Sequence, residues 1–167
     1  MFNGKPAPGD INVPGFNTTE FLAAHGPEAT DPIIASTVAY LRDELGIKRI
    51  GATGYCFGGR YSFRVAGKNG GADATFAAHP SLLENGEIEA VEGPASIAAA
   101  ENDSMMSPER RAEIEALLAK TGKAFQLSLY GGTSHGFGVR ANISDPEQKF
   151  GKESAFFQAV RWFDAWL

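Results

Sequence analysis

The stretch Gly51-Ala-Thr-Gly-Tyr-Cys-Phe-Gly-Gly59 places the one cysteine of the chain between glycines, where a predicted strand gives way to a predicted helix. Its core is Gly54-x-Cys56-x-Gly58, with small residues two positions before and two positions after the cysteine. This spacing is typical of a nucleophile elbow, with Cys in the place of Ser. Because strand and helix approach closely around such a turn, we expect both small residues to be sterically required. The N-terminus of the following helix would face the sulfur and favour the thiolate.

Two other kinds of glycine-rich site do not fit this stretch. No Lys-Ser/Thr pair follows the glycines, which excludes a phosphate-binding P-loop, and the G-x-G-x-x-G spacing of dinucleotide-binding folds is absent. The structural alternative for Cys56 is a buried cysteine that acts only as a small hydrophobic side chain. The elbow makes Cys56 a candidate nucleophile, and the rest of the chain must decide between these two interpretations.

Strands and helices alternate along the chain around this elbow. Predicted strands cover residues 48–53, 73–78, 94–100 and 124–130, and predicted helices cover residues 31–45, 57–66, 107–122 and 154–167. The first of these helices starts on the N-cap signal Asp31-Pro32 and stops at Gly46. Residues 1–17, 79–92 and 131–150 are expected to be mostly irregular. Alternation of this kind predicts a parallel α/β sheet with helices on its faces.

Composition describes an ordinary globular protein and excludes several functional classes. The chain has 167 residues, of which 43% are hydrophobic and 21% charged, so we expect one domain over residues 1–167. The net charge is −5 and no basic run is present, so nucleic acid is not an expected partner. No apolar stretch approaches the roughly 18 residues of a membrane span, so a membrane is not expected either.

The cysteine and histidine content bears on metals and on the compartment. His25, His79 and His135 stand far apart, and one cysteine cannot build a Cys-rich site, so we expect no metal ion. The sequence predicts no cofactor. The N-terminus lacks the features of a secretory signal, and a lone cysteine forms no internal disulfide. We therefore expect a cytoplasmic protein.

A base and an acid for Cys56 stand at the ends of later strands. A nucleophilic cysteine needs a base, and the base needs a carboxylate to orient it. Asp103 follows the third predicted strand and His135 follows the fourth, in the order nucleophile, acid, histidine that α/β-hydrolases use. Because open α/β sheets place their sites at the carboxyl ends of strands, we expect the three to converge. Glu101 is a rival acid. Each residue taken singly also has a structural interpretation: Asp103 fits a loop or capping residue, and His135 fits a turn residue.

At this point the sequence resembles the dienelactone hydrolase family, and most closely its fungal branch. The motifs that carry the resemblance are Gly-Tyr-Cys-Phe-Gly-Gly, the acid loop Asp103-x-x-x-x-Pro-x-Arg, and Tyr130-x-Gly-x-x-His-Gly-Phe. His79-Pro80-Ser81 and the opening Phe-Asn-Gly-Lys-Pro resemble that branch as well. The likeness covers essentially the whole chain. It implies a partial α/β-hydrolase fold of about four parallel strands flanked by helices.

The resemblance also implies an activity and a set of roles. Cys56 would be the nucleophile, His135 the base and Asp103 its orienting acid, as in carboxymethylenebutenolidase, which opens an unsaturated lactone. The expected substrate is thus a small ester, lactone or thioester. The backbone N–H of Phe57 would stabilise the oxyanion. Substrate-binding residues would be Arg140, which suits an anionic substrate, together with Tyr55 and His79. As an alternative, Arg140 is an ordinary solvated loop residue.

The chain departs from the family at its start. Members begin with several strands and a helix that have no counterpart here, so we expect the family's N-terminal strands to be missing. By resemblance, that segment would supply a second oxyanion N–H and a glutamate that controls the ionisation of the cysteine. Loss of one oxyanion donor costs about 10²–10³ in kcat. The alternative function is therefore a non-enzymatic α/β domain that acts through a protein partner.

Two further expectations follow. A glutamine-amidotransferase-like domain also uses Gly-x-Cys-x-Gly, but His135 is followed by Gly136 and Phe137 where that class needs His-x-Glu, which disfavours it.

The strand at 48–53 would become a sheet edge in this chain. An open edge beside apolar surface favours association, so we expect a homo-oligomer or a partner that covers residues 48–53.

Overall fold

The structure is a computed structural model and describes residues 2, 4, 6–8 and 13–167. The remaining residues of the predicted irregular segment 1–17, and Asn3 and Lys5 of the quoted N-terminal motif, lie outside the described residues. The chain forms two compact units, Met1–Ile47 and Lys48–Leu167. The expectation of one domain over the whole chain stays a prediction.

The helices of the first unit lie within residues 18–44. Helix α1 (Thr18–Ala24) begins at Asn17, whose side chain accepts a hydrogen bond from the Glu20 N–H, and α2 covers Pro27–Ala39. A π-helical turn, Tyr40–Glu44, continues α2, and the chain leaves it at Gly46, where φ is +66°. The predicted stop at Gly46 is thus confirmed.

The predicted start of this helix at Asp31-Pro32 was wrong. Helix α2 begins four residues before Asp31, with Gly26 as N-cap and Pro27 in the first turn. Pro27 has the same fixed φ as Pro32 and likewise lacks an N–H, which the first turn of a helix does not need, so both prolines satisfy the start signal. Pro32 lies inside the helix, where its missing N–H costs one backbone hydrogen bond.

The second unit is a parallel sheet covered on both faces. Its strands are β1 (Gly51–Tyr55), β2 (Ala74–Ala78), β3 (Ala95–Asn102) and β4 (Phe125–Ser134), in the spatial order β1-β2-β3-β4. Its helices are α3 (Phe57–Val65), α4 (Asn85–Glu89), α5 (Pro108–Lys120), α6 (Phe137–Arg140) and α7 (Pro146–Trp166). The predicted four-stranded parallel α/β architecture is confirmed.

The core consists of two clusters, one on each face of the sheet, because successive side chains of the central strands point to opposite faces. Ala77 and Ile97 face a cluster that includes Phe63 of α3 and Ile114 of α5. The residues next to these in sequence belong to the second cluster, which includes Ala155 of α7. These residues are Phe76, Ala78 and Ala98. Strand β2 is buried throughout, as expected for a strand packed on both faces.

The largest departures from the sequence prediction lie in residues 131–150. Strand β4 runs on to Ser134 instead of ending at Tyr130, with an irregularity in its register opposite Ala100 to Asn102. Helix α7 starts at Pro146 instead of residue 154. The Asp145 side chain accepts from the backbone N–H groups of Glu147 and Gln148, which is an N-cap followed by Pro at the first helical position.

Smaller departures concern the segments read as irregular and the first strand. Two short helices, α4 and α6, form within predicted irregular segments. Strand β1 is displaced from the predicted 48–53 to Gly51–Tyr55. The residue before it, Ile50, donates its N–H to the Asp73 carboxylate at 2.7 Å rather than to a neighbouring strand.

Candidate active site

Cys56 occupies the sharp turn between β1 and α3. Its backbone has φ 52° and ψ −120°, a conformation that costs a non-glycine residue energy and must be held by its surroundings. The Cys56 N–H donates to the carbonyl of Ala78, and its own carbonyl accepts from the N–H groups of Gly59 and Ser81. These bonds fix the elbow to the segment after β2 and leave the half-buried thiol at the carboxyl edge of the sheet.

The steric requirement of the elbow falls on a different pair of glycines than the sequence suggests. A Cβ at Gly54 would lie 2.0 Å from the Gly58 carbonyl oxygen, so only glycine fits there. A Cβ at Gly58 would meet no atom of the described residues within 4 Å, whereas one at Gly59 would lie 2.7 Å from Cβ of Pro80. The expectation that Gly58 must be small was therefore wrong: the close approaches are at Gly54 and Gly59.

His135 lies directly against the thiol. Its Nε2 is 3.1 Å from Sγ of Cys56, and its Nδ1 is 2.8 Å from Oδ2 of Asp103. The imidazole is thus held between the sulfur and a carboxylate, and the structure brings the three predicted side chains together.

The acid is fixed by its own environment. The Asp103 side chain is 0% exposed, and its Oδ1 accepts from the Met105 N–H at 2.9 Å. The rival acid Glu101 is exposed and accepts from the Gly132 N–H at 2.8 Å. Geometry therefore selects Asp103 as the partner of His135, which itself donates its backbone N–H to the Asn102 carbonyl.

Ser81 is a site residue that sequence reasoning did not select. Its Oγ lies 3.3 Å from Sγ of Cys56 and 3.4 Å from Nε2 of His135. The signal was present, because Ser81 follows the end of β2 within the His79-Pro80-Ser81 motif, and β2 is the neighbour of the elbow strand. Serine is common after strands for reasons of turn formation, so its type alone did not mark it.

The charges of the thiol and the imidazole are coupled. Burial raises the pKa of Cys56, but hydrogen bonds from His135, from Ser81 and from the Phe57 backbone N–H, with the charge of His135, bring that pKa down to about 7. The hydrogen bond to Asp103, followed by that to Cys56, raises the pKa of His135 to about 9. Between these values the pair is a thiolate beside an imidazolium.

His79 lies underneath this pair. It is 0% exposed, has φ 39°, and packs its ring edge-on against His135 with 5.1 Å between ring centroids. Neither ring nitrogen has a hydrogen-bond partner among the described residues, and burial, followed by the charge of His135, lowers the pKa of His79 to about 4. The neutral ring supports His135 from below, so a direct contact with substrate would first require His79 to become accessible.

Arg140 and Tyr55 lie beside the site on two different elements. The Arg140 guanidinium reaches back over Gly136, the residue after His135, and its charge contributes to the low pKa of His79. Tyr55 is half-buried and lines a groove of about 480 Å³ together with Gly138 and residues of α7. Arg140 is exposed and so is available to a ligand.

The described residues bear on two further features, a metal site and a membrane-spanning helix. Within residues 2, 4, 6–8 and 13–167, no three His, Cys, Asp or Glu side chains are grouped so as to hold a metal ion. No helix in the described part of the chain is long and apolar enough to cross a membrane.

The sequence matches the dienelactone hydrolase family over residues 14–167. The chain belongs to this family. It is 40% identical over 167 residues to the hydrolase pyvD of Aspergillus violaceofuscus, covering all of this chain and 67% of that protein. It is 41% identical over 145 residues to the hydrolase tropI of Talaromyces stipitatus, covering 86% of this chain and 56% of that protein. This family member thus spans about half to two thirds of the length of these two relatives.

The fold comparison agrees with the family. The structure of a dienelactone hydrolase from Klebsiella pneumoniae superimposes with a TM-score of 0.69 at 17% identity, covering 89% of this chain and 67% of that one. The fold is therefore the corresponding part of a dienelactone hydrolase, as the resemblance implied. Family and relatives together place the chain among hydrolases.

Proposed function

We propose that this dienelactone hydrolase family member cleaves a small ester, lactone or thioester through an acyl-cysteine intermediate on Cys56. The observation that carries the proposal is the chain of contacts from Asp103 through His135 to Sγ of Cys56, at 2.8 and 3.1 Å. Both distances are within hydrogen-bond reach, which is the geometric condition for a nucleophile and its base.

In the first half of the reaction the Cys56 thiolate attacks the carbonyl carbon of the substrate. The C–S bond forms as the carbonyl π electrons move to oxygen, and the backbone N–H of Phe57, at the start of α3, donates to that oxyanion. Collapse of the adduct breaks the bond to the leaving oxygen or sulfur, which takes the proton from Nε2 of His135. A lactone leaving group stays attached through the acyl chain.

In the second half water replaces the leaving group. Neutral His135 accepts a proton from the water through Nε2 while the water oxygen attacks the thioester carbonyl, and Asp103 stabilises the imidazolium that forms. The second adduct expels the Cys56 thiolate and releases the acid. The imidazolium and thiolate of the resting site are thereby restored. All atoms and protons of the cycle are accounted for without a cofactor.

The position of Arg140 supports an anionic substrate. Its guanidinium lies over Gly136, next to the base, and it carries the fork of donors that suits a carboxylate. A substrate that bears a carboxylate on its acyl part would be oriented with its carbonyl toward Sγ. Tyr55 would supply an apolar wall for the same substrate.

Turnover of a panel of small esters, thioesters and lactones by purified protein tests the proposal. Cys56→Ala should abolish turnover, and Cys56→Ser should retain the geometry but lose most activity, because a hydroxyl is a far weaker nucleophile than a thiolate. Ser62→Ala, which removes a buried hydroxyl that donates to the Gly59 carbonyl, is the matched control and should keep activity. Absence of turnover by the wild type on the whole panel would favour the non-enzymatic alternative.

A further inference from the structure

Ser81 completes a triangle of polar atoms with the nucleophile and the base. The three sides are 3.1 Å from Sγ of Cys56 to Nε2 of His135, 3.3 Å from Sγ to Oγ of Ser81, and 3.4 Å from Oγ to Nε2. Ser81 is only 7% exposed, so its hydroxyl is nearly removed from solvent. A hydroxyl so placed must satisfy its donor and its acceptors largely within this triangle.

The backbone holds this hydroxyl in place with respect to the sulfur. The Ser81 N–H donates to the Cys56 carbonyl at 3.0 Å, and the His79 N–H donates to the Ala98 carbonyl at 2.8 Å. Between them, Pro80 packs closely on Gly59 of α3. The segment after β2 is therefore pinned both to the elbow and to β3, and it does not depend on Oγ for its conformation.

We propose that the Ser81 hydroxyl donates to the Cys56 thiolate and, with His135, stabilises it as the resting form of the site. A hydroxyl can donate to sulfur while its lone pairs face the Nε2–H of the imidazolium, so one group serves both members of the ion pair. This proposal rests on the proposed thiolate chemistry of Cys56, and it assigns to Ser81 a role that the Cys56–His135–Asp103 arrangement alone does not contain.

The role changes during the reaction. Once Cys56 is acylated, its sulfur carries no charge and is a weak acceptor, so the hydroxyl no longer stabilises it. The stabilisation returns when the thiolate is expelled in deacylation. Ser81 therefore favours the free thiolate over the thioester, and it acts on the ionisation of the nucleophile rather than on substrate binding.

The groups that set the ionisation of Cys56 come from several elements. Besides Ser81, these groups are His135, which follows β4, and the Phe57 N–H at the start of α3. Of the other titratable or charged groups nearby, Asp103 follows β3 and acts on His135, while His79 follows β2 and Arg140 belongs to α6. Burial of the sulfur opposes the thiolate, so each donor is needed to offset it. Among these neighbours Ser81 is uncharged at every pH of interest, which lets its effect be separated from theirs.

The test is the rate of alkylation by iodoacetamide as a function of pH. Cys56 is the one cysteine of the chain, so alkylation reports on it alone. Ser81→Ala should raise the inflection by about one pH unit, because a hydrogen bond to a charged group is lost. Well below the inflection the rate should fall about tenfold. The plateau at high pH should not fall, since a more basic thiolate is at least as nucleophilic.

Matched variants separate this effect from structural damage. Ser81→Thr retains the hydroxyl and should restore the wild-type inflection, and Ser62→Ala should leave it unchanged. Ser81→Gly provides a second variant without the hydroxyl if Ser81→Ala does not fold. A low inflection in the wild type that persists in the Ala or Gly variant would overturn the role of Ser81 alone. A wild-type inflection near 9 would instead overturn the proposed ion pair.

Discussion

His135 Nε2 lies 3.1 Å from Sγ of Cys56, although 79 residues separate the two in sequence. The contact exists because β1 ends in the elbow and β4 ends at Ser134, so both residues are delivered to the same edge of the sheet. Asp103 anchors the far side of the imidazole at the end of β3. Every prediction about the site depends on this arrangement.

The pH dependence of Cys56 reactivity follows from its lowered pKa. An acid with a lowered pKa is charged at lower pH, so alkylation should rise with pH through about 7 instead of about 9. The measurement is the pH profile of the alkylation rate of wild type and His135→Ala. Removing His135 deletes its hydrogen bond and its charge, while burial and the bonds from Ser81 and Phe57 remain, so the inflection should rise from about 7. Equal profiles for the two proteins would show that His135 does not ionise Cys56.

Asp103 and Glu101 provide a matched pair of carboxylates. Asp103→Asn should lower kcat by roughly 10²–10⁴-fold, because the amide cannot stabilise the imidazolium that forms on His135. Glu101→Gln should change kcat little, since that side chain contacts the exposed Gly132 N–H instead. Steady-state turnover of both variants on one ester decides the question. Comparable losses in the two would mean that Asp103 acts only as a structural residue.

Gly54 and Gly58 differ in the room that each has for a side chain. Gly54→Ala places a Cβ against the Gly58 carbonyl and should destabilise the fold by about 1–3 kcal/mol or more. Gly58→Ala meets open space inside a helix and should be neutral or stabilising by up to about 1 kcal/mol. Urea denaturation measures both. A Gly58 variant as unstable as the Gly54 variant would contradict the close packing assigned to the elbow.

Arg140 is expected to discriminate between anionic and neutral substrates. Arg140→Ala should raise KM for esters that carry a carboxylate by about 10-fold or more, and leave neutral esters nearly unchanged, because one charge-assisted contact is lost. Arg161→Ala on α7 provides a control for the loss of a positive charge. An equal effect of Arg140→Ala on both substrate classes would assign Arg140 a structural role.

Association of the protein is a further prediction. Within the described residues β1 is one edge of the four-stranded sheet, and the predicted partner surface at 48–53 adjoins it. Open strand edges favour pairing with another strand, and a second copy can supply it across a two-fold axis. Light scattering over a dilution series should show a dimer that dissociates on dilution. A monomer at all concentrations would contradict the prediction.

The sequence predicts the architecture well where local and long-range signals agree. The strand before Cys56 and the helix after it follow from small residues around a nucleophile, and the ends of β3 and β4 place Asp103 and His135 correctly. Their order along the chain was sufficient to predict convergence, because carboxyl ends of parallel strands share one edge. The prediction needed no knowledge of side-chain contacts.

The parts that the sequence did not predict depend on tertiary packing. Gly131-Gly132 reads as the end of a strand, yet β4 continues through them to Ser134. Gly132 is needed there because a Cβ would collide with Glu147 of α7. The position of Ser81 also depends on the fold. No spacing within the sequence links Ser81 to Cys56, and only the fold shows that the Ser81 hydroxyl lies next to Sγ.

The proposed reaction requires Cys56 to carry the acyl group during turnover. Intact-protein mass spectrometry after rapid mixing with an activated ester tests it most directly, with peptide mapping to locate the modification. We predict a transient mass gain of one acyl group on Cys56 that decays at the rate of turnover and is absent in Cys56→Ala. Undiminished hydrolysis by Cys56→Ala, or turnover of the wild type with no acyl group on Cys56 at any time, would contradict an acyl-cysteine mechanism.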